Sequence, residues 1–202
     1  MHPKDTVRRG YNQIASLYRA TRSHGSKDVQ LIHLLKENLP QRAMVLDAGC
    51  GSGYPVTQLL AESFEVTGVD FAIEQVRLAT KGLPGAGLVC ADVTSLPFRD
   101  STFDAVVSYY TIIHIPRTKH QELLLDFRRI LKRHGFALLC MGAGDLPSDV
   151  SNYHGTQMFW SHYDSETNLR IMRDCQFTIL WSGIVKDPTS SASSHLFVFG
   201  QK

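Results

Sequence analysis

A glycine-rich turn directly follows the first strongly apolar segment of this 202-residue chain. Residues 44–47 lead into Ala48-Gly49-Cys50-Gly51-Ser52-Gly53, and a helical pattern comes next. Glycines permit a tight turn and a close approach of the backbone to a ligand, and the first N–H groups of a helix attract an anionic group. A dinucleotide fingerprint that begins at Gly49 would need glycine at Tyr54, and no Gly-Lys-Ser/Thr sequence closes a P-loop. A glycine turn without a ligand is the alternative.

Two carboxylates come at the ends of the next two apolar segments. Asp70 ends Val66-Thr67-Gly68-Val69-Asp70, and Asp92 follows Val89-Cys90-Ala91. An acid roughly 20 residues after a glycine loop of this kind can accept both hydroxyls of a ribose. Asp92 can accept from an exocyclic amine, with Val93 as an apolar wall, so the two acids together favour an adenosine site. Asp70 could instead only cap the helix that follows it.

These residues can meet only if the segments that precede them are neighbouring strands. The predicted strands cover residues 44–46, 65–69, 87–90, 104–109 and 136–141, and the predicted helices cover 55–62, 73–81 and 119–133. This alternation predicts an α/β fold of five parallel β/α units in a doubly wound sheet, with ligands beyond the carboxyl ends of the strands. Two later apolar runs, 177–185 and 195–200, predict an antiparallel hairpin at the sheet edge.

The composition is that of one globular domain. The chain is 43% hydrophobic and 20% charged, with a net charge of +2, which favours neither nucleic acid nor a membrane surface as a partner. The four cysteines are far apart and the histidines have no metal-ligand spacing, so neither a disulfide scaffold nor a metal site is predicted. Because residues 1–9 lack an apolar leader pattern, we expect a cytoplasmic protein.

Three segments resemble the class I S-adenosylmethionine-dependent methyltransferases. They are residues 45–53, residues 66–70, and residues 90–93 followed by Leu96-Pro97-Phe98. Residues 103–108 and Ile113-His114-Ile115-Pro116 fit the family's fourth strand and the loop after it. The resemblance covers roughly residues 40–142 and is nearest to the small type 11 branch, whose members have many different acceptors. It implies a Rossmann-like fold and S-adenosyl-L-methionine as the cofactor.

The resemblance also implies roles for individual residues. The loop from Gly49 to Gly51 would hold the methionine part, Asp70 the ribose, and Asp92 the adenine amino group. The other implied cofactor-binding residues are Tyr11, Tyr18, Asp47, Cys50, Phe71, Val93 and Ser108. Of these, Asp47 would orient the loop or act through water, and Ser108 would act through its backbone. Tyr11 and Tyr18 are candidates to close over the cofactor, although their helical spacing suits core packing equally well.

With this resemblance, the single domain divides into four parts. Residues 1–40 are predicted to form an N-terminal helical cap, 41–142 the cofactor-binding core, 143–163 an acceptor-site lid, and 164–202 a helix and the edge hairpin. Several aromatic residues in the 143–163 stretch suggest an apolar or aromatic acceptor. A satellite core beneath a long connection explains them equally well.

The acceptor side of the reaction offers one candidate catalytic residue. His114 follows the fourth predicted strand, where an acceptor should enter, and an imidazole can act as a general base near neutral pH. A structural histidine that bonds to a backbone group is the simpler interpretation. We expect methyl transfer to a small molecule. The alternatives are a cofactor-binding module without catalysis and a protein or RNA methyltransferase.

Overall fold

The protein, seen in a computed structural model that describes residues 2–190 and 193–202, is built around one large mixed sheet. Its helices are α1 Pro3–Thr21, α2 Lys27–Gln30, α3 His33–Asn38, α4 Val56–Ala61, α5 Ile73–Gly82, α6 His120–Ile130 and α7 Ser165–Asp174. Its strands are β1 Met44–Ala48, β2 Glu65–Asp70, β3 Gly87–Cys90, β4 Phe103–Ser108, β5 Leu131–Gly142, β6 Leu146–Tyr153, β7 Thr156–His162, β8 Thr178–Lys186 and β9 Ser194–Gln201. Short 3₁₀ turns cover Ile112–His114 and Arg117–Lys119.

The seven-stranded sheet has the order β3-β2-β1-β4-β5-β9-β8. Strands β1 to β5 are parallel, while β9 is antiparallel to both β5 and β8. This arrangement confirms the predicted doubly wound, mostly parallel sheet with its C-terminal hairpin. The strand order reverses between β1 and β4, and ligand crevices form at such a switch point.

The central strands are almost continuously apolar because helices cover both faces of the sheet. Leu46 of β1 packs in a cluster with Leu124 and Phe127 of α6. Its neighbour Val45 points to the opposite face and packs with Leu60 of α4. Since successive strand residues face opposite sides, a strand between two helical layers is apolar at most positions, and a buried exception such as Asp47 of β1 has a hydrogen-bond partner.

Three connections differ from the prediction. The helix predicted for 119–133 ends at Ile130, because Leu131 already pairs with Phe103 as the first residue of β5. No helix links β3 to β4 within the described residues, so the third predicted β/α unit is incomplete. Leu96 of this connection is buried in the core without helical structure. The 143–163 stretch is not a long loop, because most of it forms the separate β6–β7 hairpin.

Helix α1 lies against this hairpin and so covers the carboxyl ends of the sheet strands. Pro3 stands in its first turn, a position that needs no backbone donor, and the His2 ring accepts the Lys4 N–H at 3.3 Å. The two elements approach closely at Gly10, where a Cβ atom would lie 2.9 Å from Met158 Cε and 3.1 Å from the Gln157 carbonyl oxygen. A glycine is therefore needed where α1 crosses β7.

Candidate functional site

A cavity of about 890 Å³ lies between the carboxyl ends of the sheet strands and α1. Nine of the residues singled out from the sequence line it: Tyr11, Tyr18, Gly49, Gly51, Asp70, Phe71, Asp92, Val93 and His114. We call Gly49, Gly51, Asp70 and Asp92 the sheet wall, and Tyr11, Tyr18 and His114 the cap wall. Asp47, Cys50 and Ser108 are buried behind the cavity lining.

The glycine turn of the sheet wall adopts a backbone that side chains disfavour. Gly49, Gly51 and Gly53 have φ values of 89°, 54° and 73°. A Cβ atom at Gly49 would lie 1.8 Å from the Thr111 hydroxyl oxygen, so glycine is also required by the available space. The Gly49 N–H donates to the Val69 carbonyl at 2.7 Å, which holds the turn against β2.

Asp70 both ties the turn and begins the next helix. Its carboxylate accepts the Gly51 N–H at 3.0 Å and the Ala72 N–H at 2.8 Å, just before α5. Burial raises the pKa of Asp70 to about 6, although the backbone hydrogen bonds oppose the rise. Each carboxylate oxygen can accept a further hydrogen bond, so the capping contact leaves room for a ligand hydroxyl.

Asp92 meets a cation from the N-terminal helix. Lys4 forms an ion pair with it, and the Thr94 N–H donates to it at 3.0 Å. Burial raises the pKa of Asp92, but these hydrogen bonds outweigh burial and hold the pKa below its ordinary value. Asp92 is therefore a stable carboxylate at neutral pH, with Val93 beside it as a mostly buried apolar neighbour.

The three residues behind the lining support the turn from within. Asp47 accepts the Thr57 hydroxyl at 2.7 Å, and burial raises its pKa to about 7. The Ser108 hydroxyl donates to the Ala48 carbonyl at 2.8 Å, and the Cys50 side chain is buried. The bonds of Asp47 and Ser108 tie β1 to α4 and to β4.

His114 belongs to the cap wall and has both ring nitrogens engaged. Its Nδ1 lies 2.7 Å from the Phe159 carbonyl oxygen and its Nε2 lies 2.8 Å from the Tyr11 hydroxyl. Since a carbonyl only accepts, Nδ1 carries the proton and Nε2 accepts from Tyr11. The ring packs on Trp160 with centroids 4.3 Å apart, and burial lowers the pKa of His114 to about 4. The imidazole is therefore neutral at pH 7.

The β6–β7 hairpin supports the cap wall from outside the cavity. Met158 and Phe159 are buried in a cluster with Val7 and Ile14 of α1. No residue of the 143–163 stretch is part of the cavity lining. The hairpin therefore contacts α1 and His114, which line the cavity, without lining the cavity itself.

A buried ion pair behind the cap wall was not apparent from the sequence. The side chains of Asp28 and Arg22 are almost fully buried, and Arg22 Nη2 lies 2.7 Å from Asp28 Oδ2. The Tyr110 hydroxyl donates to the same carboxylate oxygen at 2.9 Å. The Tyr109 hydroxyl donates to the Asp28 carbonyl oxygen at 2.9 Å. The N-terminal segment that holds Arg22 and Asp28 is thus tied to the two tyrosines that follow β4. The polar stretch Ser26-Lys27-Asp28 has no pattern that distinguishes a buried acid from a solvated one.

Sequence analysis also did not single out several other lining residues, among them Lys4, Gln75 and Thr111. Only Gln75 left a signal, because it is a polar residue on the buried face of α5 beside Val76 and Ala79. Within residues 2–190 and 193–202, no group of His, Cys, Asp or Glu side chains could hold a metal ion. No helix in this part of the chain has both the length and the apolar character to cross a bilayer.

Comparison with known protein families finds a match over the part of the chain that forms the sheet wall of the cavity. The methyltransferase-domain family matches residues 46–139, which include the whole glycine turn, Asp70 and Asp92. YqeM of Bacillus subtilis, whose name assigns it provisionally to the methyltransferases, is 25% identical over 189 residues, or 88% of this chain and 76% of YqeM. The chain spans 45% of the length of two other curated relatives, from Encephalitozoon cuniculi and Thermotoga maritima.

Two solved structures show how widely the fold is shared. A 1,6-didemethyltoxoflavin-N1-methyltransferase from Burkholderia thailandensis, crystallised with 1,6-didemethyltoxoflavin and S-adenosylhomocysteine, has a TM-score of 0.77 at 19% identity. The alignment covers 100% of this chain and 91% of that one. The [4+2]-cyclase SpnF has a TM-score of 0.73 at 17% identity, covering 96% and 94%. At these identities the likeness concerns the fold alone.

Proposed function

We propose that this chain is a class I S-adenosylmethionine-dependent methyltransferase and that it methylates a small-molecule acceptor in the cavity of about 890 Å³. One observation carries the proposal: the sheet wall and the cap wall face the same cavity. Its volume is near the upper end of the roughly 300–1,000 Å³ that is usual for small-molecule sites. The cavity therefore has room for an acceptor beside the cofactor.

The residues of the sheet wall fit the cofactor. Glycine at 49 and 51 leaves the turn's backbone open to the cavity, and a Cβ atom at Gly49 would clash with Thr111, which also lines the cavity. Asp70 would hold the ribose, Asp92 the adenine amino group, and Phe71 and Val93 would flank the adenine ring. When bound, S-adenosylmethionine supplies a methyl group on a positively charged sulfur, which a nucleophile displaces.

The chain's own contribution to the reaction is alignment and exclusion of water. Helix α1 covers the cavity, and well-aligned reactants can gain an effective molarity on the order of 10⁵ M or more. We propose that neutral His114 holds the Tyr11 hydroxyl in place, since its Nε2 already accepts from Tyr11. A general base at His114 is the competing role, and it would require Tyr11 to release Nε2. The β6–β7 hairpin would shape the acceptor site by holding α1.

A second candidate function is binding without methyl transfer. The observation that favours it is the similarity to a [4+2]-cyclase, because a fold shared with another chemistry does not fix the reaction. Such a protein would bind the cofactor but methylate no acceptor. For either function we propose a cytosolic location, supported by four cysteines that are all free thiols.

Titration calorimetry with S-adenosylmethionine and S-adenosylhomocysteine tests the cofactor site. A panel of small-molecule acceptors, assayed by release of S-adenosylhomocysteine, tests the transfer. Asp174→Ala, which changes an exposed acid at the end of α7, is the control for charge effects remote from the cavity. A folded sample that binds neither cofactor form would refute the proposal. Binding without turnover of any acceptor would favour the second candidate.

A further inference from the structure

The start of α1 is attached to the rest of the protein by fewer contacts than the remainder of the helix. The later part of α1 makes three side-chain bonds to other elements: Tyr11 to His114, Asn12 to the Glu74 N–H at 3.0 Å, and Arg19 to the Ser52 carbonyl at 2.9 Å. Among the described residues, the 3–9 segment makes one such contact, the ion pair of Lys4 with Asp92. Its one buried side chain is Val7, which packs with Met158 and Phe159 of β7.

This segment closes one end of the cavity. Lys4 and Val7 line the cavity together with Asp92 and Val93, the residues assigned to the adenine end of the cofactor. The side chains of Lys4 and Asp92 are 44% and 20% exposed, so solvent reaches the ion pair. Displacement of the segment would therefore open the adenine end of the cavity and leave the glycine turn covered.

The number of contacts determines how easily such a segment opens. Local opening has a lower free energy than global unfolding where few buried contacts hold a segment. One exposed ion pair and one buried valine hold residues 3–9, and an exposed ion pair contributes little stability. Gly10, which follows the segment inside the helix, is also the residue at which helical structure is least favoured apart from proline.

We infer that residues 3–9 form a gate over the adenine end of the cavity, that the gate moves at Gly10, and that the Lys4–Asp92 ion pair keeps it closed. The inference rests on the cofactor assignment above. Lys4 and the Thr94 N–H bind different oxygens of Asp92, and each carboxylate oxygen has a further lone pair. An adenine amino group can therefore bind Asp92 while the gate is closed.

This arrangement predicts an effect on rates rather than on affinity. The ion pair closes the gate both before and after the cofactor binds, so weakening it should speed entry and exit by the same factor. In Lys4→Met, the association and dissociation rate constants of S-adenosylhomocysteine should both rise about two- to fivefold, as expected for loss of an exposed ion pair. Surface plasmon resonance measures both rates, and calorimetry should show a nearly unchanged Kd.

A matched variant and a change of salt concentration provide the controls. Lys36→Met breaks the exposed pair with Glu62 on another surface and should change neither rate. Added salt should raise both rates in the unmodified protein, because it screens exposed charges, and should have a smaller effect in Lys4→Met. S-adenosylhomocysteine has no net charge at neutral pH, so salt acts mainly on the protein.

Amide hydrogen exchange observes the gate without any ligand. In the unmodified protein, backbone amides of residues 7–9 should exchange faster than those of residues 14–19, which belong to the more firmly held part of α1. Lys4→Met should speed the exchange of residues 7–9 further and leave residues 14–19 unchanged. Equal exchange in the two parts of the unmodified helix would overturn the inference.

The rate measurements separate the gate from other roles of Lys4. Unchanged rates in Lys4→Met would overturn the inference, and so would a changed Kd with an unchanged association rate, because Lys4 would then act on the bound cofactor. A lower melting temperature with unchanged rates would show a purely structural ion pair and would also overturn it. These outcomes leave the cofactor assignment intact, whereas failure of the unmodified protein to bind S-adenosylhomocysteine would overturn both.

Discussion

The sheet wall and the cap wall of the cavity are held in place by different kinds of contact. In the sheet wall the turn is fixed by backbone hydrogen bonds, such as Gly49 N–H to Val69 and Gly51 N–H to Asp70. In the cap wall, side chains from distant segments hold one another, as when Tyr11 bonds to His114 across 103 positions of sequence. The sheet wall is thus mainly local in sequence, and the cap wall is assembled by the fold.

This difference predicts different consequences of mutation on the two sides. A change in the cap wall should act first on stability, because His114 is buried and its ring is bonded to Tyr11 and to the Phe159 carbonyl. A change in the sheet wall should first lower the affinity for the cofactor, because its polar groups line the cavity. Lys4 to Asp92 and Arg19 to the Ser52 carbonyl are two contacts that join the cap to the sheet side.

The largest effect should come from the ion pair behind the cap wall. Asp28→Ala leaves Arg22 buried without its partner and removes the acceptor of Tyr110, so we expect a loss of about 3–5 kcal/mol in unfolding free energy. Chemical denaturation measures it. Asp5→Ala, which breaks the exposed pair with Arg8, is the control and should cost less than about 1 kcal/mol. Similar losses in the two variants would contradict the prediction.

The second-largest loss of stability should come from a substitution in the glycine turn of the sheet wall. Gly49→Ala adds a Cβ atom at a positive φ and against Thr111, so we expect a loss of about 2–4 kcal/mol in stability from strain and overpacking. Binding of S-adenosylhomocysteine should become undetectable by calorimetry. Gly85→Ala, where a Cβ atom meets nothing within 4 Å, should leave both properties unchanged. Normal binding by Gly49→Ala would refute the geometry of the turn.

Substitution of Asp70 distinguishes a role in cofactor binding from a role in capping α5. Asp70→Ala should weaken S-adenosylmethionine binding by about 1.5–3 kcal/mol, the usual value of hydrogen bonds to a charged group. Stability should change by less than this, because burial of the Asp70 charge, which raises its pKa to about 6, costs free energy of folding that offsets part of the lost backbone hydrogen bonds. Calorimetry and denaturation on the same sample compare the two losses. A large loss of stability with unchanged affinity would mean that Asp70 serves only the helix and the turn.

The pH dependence of stability tests the cap wall. Burial lowers the pKa of His114 to about 4, so the unfolded chain binds more protons than the folded one between about pH 4 and pH 6.5. For this histidine, stability therefore falls as the pH falls through the window, by up to about 1.4 kcal/mol per pH unit, and His120, whose pKa burial also lowers to about 4, adds to the effect. Asp47 and Asp70 act in the opposite direction, because burial raises their pKa values to about 7 and about 6. The His114 contribution is therefore isolated by a difference: the unfolding free energy of the unmodified protein, less that of His114→Gln, should fall as the pH falls through the window.

The same variant decides between the two roles of His114. A general base would lose roughly 10²–10⁴-fold in kcat on replacement by glutamine, with cofactor affinity unchanged. A positioning residue would show a lower melting temperature, and activity would follow the folded fraction. An unchanged pH slope in His114→Gln would contradict the buried, neutral state described above.

The smallest effect should follow removal of one hydroxyl. Tyr11→Phe deprives His114 Nε2 of its donor, and we expect a loss of about 0.5–1.5 kcal/mol in unfolding free energy. Cofactor affinity should change less than in Asp70→Ala if Tyr11 belongs to the cap wall. Tyr163→Phe, which keeps the ring under Arg117, is the control. A loss of affinity larger than that of Asp70→Ala would instead place Tyr11 on the cofactor.

The sheet and its edge hairpin could be predicted because their signals are local. Each central strand is a mainly apolar run between polar or glycine-rich segments, and this pattern favours a sheet covered on both faces. The end of α6 could not be placed, because Leu131 suits an amphipathic helix as well as a buried strand. In the structure Leu131 pairs with Phe103 of β4 and is the first residue of β5. The β6–β7 hairpin was missed for the related reason that its aromatic residues bury against α1 rather than within their own segment.

The amino-acid sequence alone determined the sheet wall, since glycines at left-handed positions and acids at strand ends take their places from the strand that precedes them. Only the tertiary structure decided which side chains oppose that wall. Long-range packing placed the Tyr11 hydroxyl on His114 and buried Asp28 beside Arg22. It also left the Gln75 amide without a partner at the corner of the cavity. Such contacts depend on the closure of the whole chain, and no local spacing encodes them.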